Sequence, residues 1–144
     1  MAKVNQRRVL IGALGGTLIW IAWSIVVESG MLMPRYTAAQ NAGQLLMAPR
    51  YPVFFFFWIV TFFLLSYILA WLYANLRDVL GKGPRLALKL GLMVGFAAGF
   101  PIAFIIASWS PLERVIPLWW CLELWIGAFL SVIVSGWLYK EPRA

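Results

Sequence analysis

The sequence predicts an all-α fold: a polytopic membrane protein with four transmembrane helices. Three observations carry this. The 144 residues are 63% hydrophobic and only 12% charged, about half the charge of a soluble domain. Four apolar runs, approximately 9–27, 53–74, 86–108 and 115–139, reach the ~20 residues that cross the hydrocarbon core as a helix. None alternates polar and apolar residues as a membrane β-barrel requires, whereas a helix satisfies its own backbone groups in lipid. A single four-helix domain covering 1–144 is expected.

The first span follows the basic stretch "MAKVNQRRV". Its apolar core runs about 19 residues, against ~7–15 in a secretory signal, so retention as a helix is expected. Gly12 and Gly16 suit close helix packing. Thr17, Ser24 and Glu28 fall within about 40° of one another on a helical wheel. The following connection, "MPRYTAAQNAGQLLMAPRYP", carries "PRY" twice. Ala38, Ala39, Ala42, Leu45, Leu46 and Met47 are expected to form a short amphipathic piece there, a headgroup-level connector or a docking surface.

The second span is aromatic, with Phe54–Phe57, Trp58, Phe62 and Phe63. Lipid contact is the plain reading, and contact with a flat apolar pigment or quinone is left open. "RDVLGKGPRLALK" then reads as a tight hairpin, with Gly81 as a C-terminal cap and Pro84 in the next first turn. Lys82, Arg85 and Lys89 make it a lipid-headgroup seat. It lacks the spacing of a nucleotide-binding loop.

Small residues recur every four positions along the third span: Ala87, Gly91, Gly95, Gly99, Ala103 and Ala107. Such a stripe lets helix backbones approach closely, within the chain or in a homodimer. The connection "SWSPLERVIP" matches a capping box at Ser110 and Glu113, which places a helix start at Pro111. On the fourth span Glu123, Gly127, Ser131 and Ser135 share one face.

Glu123 and Glu28 both fall in the outer half of the bundle. An intramembrane acid costs about 2.5–3.5 kcal/mol on insertion scales and marks a functional candidate. Glu123 is expected to be protonated and hydrogen-bonded, to pair with Arg35, Arg50 or Arg114, or to bind protons or cations along a path with Glu28. The candidate polar site is therefore Glu123, Glu28, Ser131, Ser24 and Thr17, beside the packing residues Gly12, Gly16, Gly91, Gly95, Gly99, Ala103 and Gly127.

Charge sets the orientation. Nine of the twelve basic residues, Lys3, Arg7, Arg8, Arg77, Lys82, Arg85, Lys89, Lys140 and Arg143, fall on one side of the four spans. The positive-inside rule places both termini in the cytoplasm, in a multi-pass protein of the bacterial inner membrane. The net charge of +7 thus faces lipid, and no nucleic-acid partner is expected. With no His and one Cys, His-ligated metal and an intrachain disulfide are excluded. No nucleophile–base pair of the Ser-His or Cys-His kind exists, so no enzyme, catalytic residue, metal or cofactor is expected.

The second span ends "WLYANLR" and the fourth "WLYKEPR", 66 positions apart. Either duplication of one helical hairpin or independent choice of interface aromatics produces this. Through "AWLYANLRDVLGKGP" and "GWLYKEP", with an acid in the last span, the chain resembles a loose group of small, uncharacterised four-helix bacterial membrane proteins. That resemblance implies the fold and no activity. The leading expectation is a non-enzymatic accessory or scaffold subunit of a larger membrane complex, energy-transducing or pigment-containing. Its partners are then lipids and other subunits or a second copy. The alternative is a small proton- or cation-coupled transporter using Glu123 and Glu28.

Overall fold

The computed structural model describes residues 4–139; Lys3, Lys140 and Arg143 lie outside them. The chain is all-α. Helix α1 (Gln6–Val27) runs through one π-helical turn (Glu28–Leu32) into α2 (Met33–Asn41), and α3 (Phe54–Leu80), α4 (Pro84–Trp109) and α5 (Val115–Leu138) follow. Four of these helical units, Gln6–Asn41 taken as one, are long and apolar enough to cross a membrane.

Helix starts and stops follow local chemistry. Asn5 caps α1, its Oδ1 accepting from the Arg8 N–H at 3.2 Å. Gly81 and Gly83 take φ of 89° and 109°, which favours glycine, and Pro84 opens α4. The Gly83 N–H donates to the Tyr73 hydroxyl at 3.1 Å, tying this hairpin to α3.

Helix α5 is the axis of the bundle. It packs against α1, α3 and α4, and α1 also packs against α3. Its buried residues Cys121, Leu124, Ala128, Ser131, Val132 and Ser135 recur at helical spacing. The core joins Trp20, Phe62, Leu69, Tyr73, Leu90, Leu124, Ala128 and Val132. The Trp20 and Phe62 rings stack with centroids 5.3 Å apart.

The small residues lie where helices meet. Gly91, Gly95 and Gly99 of α4 press on Phe129, Trp125 and Cys121 of α5. Ala103 is buried on the same helix. Gly12 and Gly16 of α1 face Ser135 and Ser131, and Gly127 faces the Trp20 indole. Between helices in lipid, such close approach supplies much of the attraction, because no hydrophobic drive remains.

Three sequence expectations are corrected. The first helix does not stop at Val27 but continues to Asn41. Pro34 lacks an N–H and its ring crowds the Gly30 carbonyl; the helix absorbs this as a π turn instead of ending. The Ser29 hydroxyl also donates to the Ile25 carbonyl at 2.6 Å. Second, the amphipathic piece is not a helix through Met47: α2 ends at Asn41, and Gly43 turns the chain with φ of 71°. Third, the last helix starts at Val115, not Pro111. Ser110 instead ends α4, its hydroxyl meeting the Leu112 N–H at 3.4 Å, while Glu113 pairs with Arg35.

One end of the bundle carries the start of α1 and the α3–α4 hairpin, with Arg7, Arg8, Arg77, Lys82, Arg85 and Lys89. This is the basic end of the bundle. The opposite end carries residues 42–53 and 110–114.

Candidate functional site: a buried carboxylate pocket

Glu123 is 1% exposed. It sits on the buried face of α5, toward the end opposite the basic one. The Ser24 hydroxyl of α1 donates to its Oε1 at 2.5 Å. The Trp58 indole of α3 lies close enough to influence the same carboxylate. Glu28 is one helical turn beyond Ser24, near enough for its charge and that of Glu123 to interact.

A hydrogen-bonded relay closes the pocket. The Trp120 indole N–H donates to the Tyr36 hydroxyl at 2.5 Å, and that hydroxyl donates to Glu28 Oε1 at 3.2 Å. Trp120 and Glu123 are three apart on α5, so they share a face. Five residues from α1, the π turn, α2 and α5 thus ring one site as two hydrogen-bonded chains, Ser24–Glu123 and Trp120–Tyr36–Glu28, brought side by side by the helices that carry them. Trp58 enters from α3.

The π turn places Tyr36. Eight residues along an ideal α-helix turn 800°, which leaves Tyr36 about 80° from Glu28. One residue taken up by the π turn subtracts about 100°, leaving about 20°. The ring therefore depends on Pro34. A double-mutant cycle of Pro34→Ala with Tyr36→Phe should give a coupling energy of about 1 kcal/mol in thermal unfolding. A coupling near zero contradicts the phase argument.

The pocket holds no basic side chain. Glu28 and Glu123 form no salt bridge among the described residues, and Arg35 is taken by Glu113. Arg114 is exposed at the start of α5, and Arg50 is exposed in the connection before α3. The expected pairing with outer arginines is therefore not found.

The other sequence candidates lie elsewhere. Ser131 is two turns from Glu123 and donates to the Ser66 hydroxyl of α3 at 2.9 Å. Ser135 donates to the Gly12 carbonyl at 2.9 Å. Thr17 donates to the Ala13 carbonyl of its own helix at 2.7 Å. Between the carboxylate pocket and this serine layer stands Trp20. It is fully buried against Gly127, and its indole N–H has no partner among the described residues.

Sequence reasoning misses Tyr36, Trp120, Trp58, Trp20 and Ser66. Ser66 has a readable signal: it shares a face with Phe62, Leu69 and Tyr73, all buried on α3. Trp120 is readable as the i−3 neighbour of Glu123. Lys82, Arg85 and Lys89 are exposed at the basic end, remote from this pocket.

The arrangement can hold a proton among two carboxylates, but among the described residues no group of three or more His, Cys, Asp or Glu side chains is placed to hold a metal ion. No protein-family model, curated protein or solved structure matches the chain, so the loose resemblance gains no named family, and an all-α chain with four membrane-length helices is what stands.

Proposed function

We propose that the protein is a small proton-coupled carrier of the bacterial cytoplasmic membrane, in which Glu123 takes up and releases the coupling proton and Glu28 relays it. One observation carries the reading. Two carboxylates, buried Glu123 and half-buried Glu28, lie close together, each accepting from a hydroxyl and neither paired with a cation among the described residues. Two uncompensated negative charges in a hydrocarbon slab are costly. A proton relieves that cost.

The ligand set also bears on the ion. A metal cation needs several oxygen ligands, and among the described residues no group of three or more His, Cys, Asp or Glu side chains is placed to supply them. A proton needs one acceptor and a relay. Of the titratable groups, Glu28 faces Glu123 from the π turn and Tyr36 from α2. The charged residues of α3 and α4, namely Arg77, Asp78, Arg85 and Lys89, all sit at the basic end.

Trp20 supports the carrier reading. Its buried indole N–H, like those of Trp23 and Trp125, has no partner among the described residues. It separates Glu123 from the Ser66–Ser131 pair on the line Glu123, Gly127, Ser131, Ser135. In the proposed cycle this ring moves to connect the two layers. The basic end faces the cytoplasm on this reading, by the positive-inside rule.

The test is proton movement in vesicles loaded with a pH-sensitive dye. Wild-type protein should carry protons down an imposed gradient, and Glu123→Gln should not. Equal flux in both removes Glu123 from the mechanism.

The accessory-subunit reading is second. Its support is outward-facing aromatic surface: exposed Phe54–Phe57 and the ladder Phe96, Phe100 and Phe104, with centroids 4.8 and 5.6 Å apart. Stoichiometric co-purification of another membrane subunit in mild detergent would favour it.

A further inference from the structure

On the lipid-facing side, α4 and α5 leave a groove of about 240 Å³ lined by Leu88, Leu92, Leu122, Trp125, Ile126 and Phe129. It is wholly apolar. Its α5 wall, from Leu122 to Phe129, is about 10 Å long. The glycine stripe explains why it exists. Gly91 and Gly95 bring the two backbones together, so larger residues splay to either side and leave a furrow between them.

Helical spacing sets two cations beside the basic end of the furrow's α4 wall. Arg85, Leu88, Lys89 and Leu92 follow i, i+3, i+4, i+7 spacing on α4 and so lie on one face. Arg85 and Lys89 are both exposed at the basic end. The apolar part begins at Leu88, adjacent to Lys89, and runs toward the middle of the bundle. A ligand with an anionic head and an apolar tail matches this order of groups. A free phosphate matches only the cations, and a neutral hydrocarbon only the furrow.

We infer that this groove is a binding site for one anionic phospholipid, its headgroup phosphate against Arg85 and Lys89 and one acyl chain along Leu88, Leu92, Leu122, Trp125, Ile126 and Phe129. The site lies away from the carboxylate pocket and does not depend on how that pocket works. The proposed seat thus runs from Arg85, in the first turn of α4, to Lys89 one turn on, and continues into the groove.

Native mass spectrometry of the purified full chain, with phosphatidylglycerol and phosphatidylcholine of matched acyl chains, tests this. One phosphatidylglycerol should be retained in preference to phosphatidylcholine. Arg85→Ala and Lys89→Ala should each weaken retention roughly fivefold. Leu92→Trp should block the furrow and reduce retention with both cations intact. Inorganic phosphate in excess should not displace the lipid. Equal retention of the two lipids, or retention of phosphatidylglycerol unchanged in the Arg85→Ala/Lys89→Ala double variant, overturns the site and leaves only ordinary boundary lipid. Both cations are exposed, so the double variant should fold, and its thermal unfolding in detergent, compared with wild type, reports that independently of any transport.

Discussion

Gly95→Leu should loosen α4 from α5 and lower the stability of the protein by about 3 kcal/mol. A Cβ at Gly95 would lie 2.7 Å from Trp125 Cδ1 and 2.9 Å from both the Cα and the carbonyl oxygen of Trp125. The indole can rotate away, but the backbone cannot. Relief therefore requires the helices to separate along the whole stripe, because Gly91 meets Phe129 Cα at 2.7 Å and Gly99 meets the Cys121 carbonyl at 2.9 Å in the same way. In lipid this separation forfeits van der Waals contact with no hydrophobic compensation. Gly30→Ala is the control: nothing lies within 4 Å of its added Cβ, and stability should stay level or rise by up to about 1 kcal/mol as a helical glycine is replaced. Unfolding in detergent micelles reads both. A Gly95→Leu protein as stable as the control would mean that the α4–α5 contact is looser than described.

Glu123→Gln should reduce proton flux to the background of empty vesicles while changing stability by less than about 1 kcal/mol. The amide keeps the volume of the acid, and its carbonyl oxygen still accepts from Ser24, so the ring stays bonded. What is lost is the exchangeable proton. Glu123→Leu separates the two effects. It removes the proton site and also leaves the buried Ser24 hydroxyl without its acceptor, at about 1–3 kcal/mol. Both variants should be inactive, but only the second should be unstable. Glu28→Gln should slow flux without abolishing it, since Glu28 relays through Tyr36 and does not hold the central position. A Glu123→Gln protein that is inactive only because it fails to fold would show itself in the same unfolding curves.

The four spans are legible because hydropathy and length decide them without tertiary information. The face shared by Ser24 and Glu28 is legible for a similar reason: i, i+4 geometry is local. Tyr36 is not, because its position depends on a one-residue phase shift imposed by the Pro34 ring. The fate of the arginines is not legible either. Arg35 and Glu113 are 78 positions apart, and their pairing both removes a partner from the carboxylates and undoes the capping box at Ser110. Ser131 shares a helical face with Glu123, yet two turns of α5 and the Trp20 ring separate them. A helical wheel shows angle and hides depth. Trp58 reads as lipid contact within an aromatic run, and only the packing of α3 on α1 and α5 brings it to Glu123.

Proton-coupled transport through this bundle requires Glu123 to exchange a proton inside it. Infrared difference spectra of the protein in lipid, taken across a pH series for wild type and Glu123→Gln, observe this directly. A protonated-carboxyl band should appear and vanish with pH in wild type, shift when Ser24 is replaced by Ala, and be missing from Glu123→Gln. Spectra identical in the carboxyl region for wild type and Glu123→Gln at every pH would contradict the account.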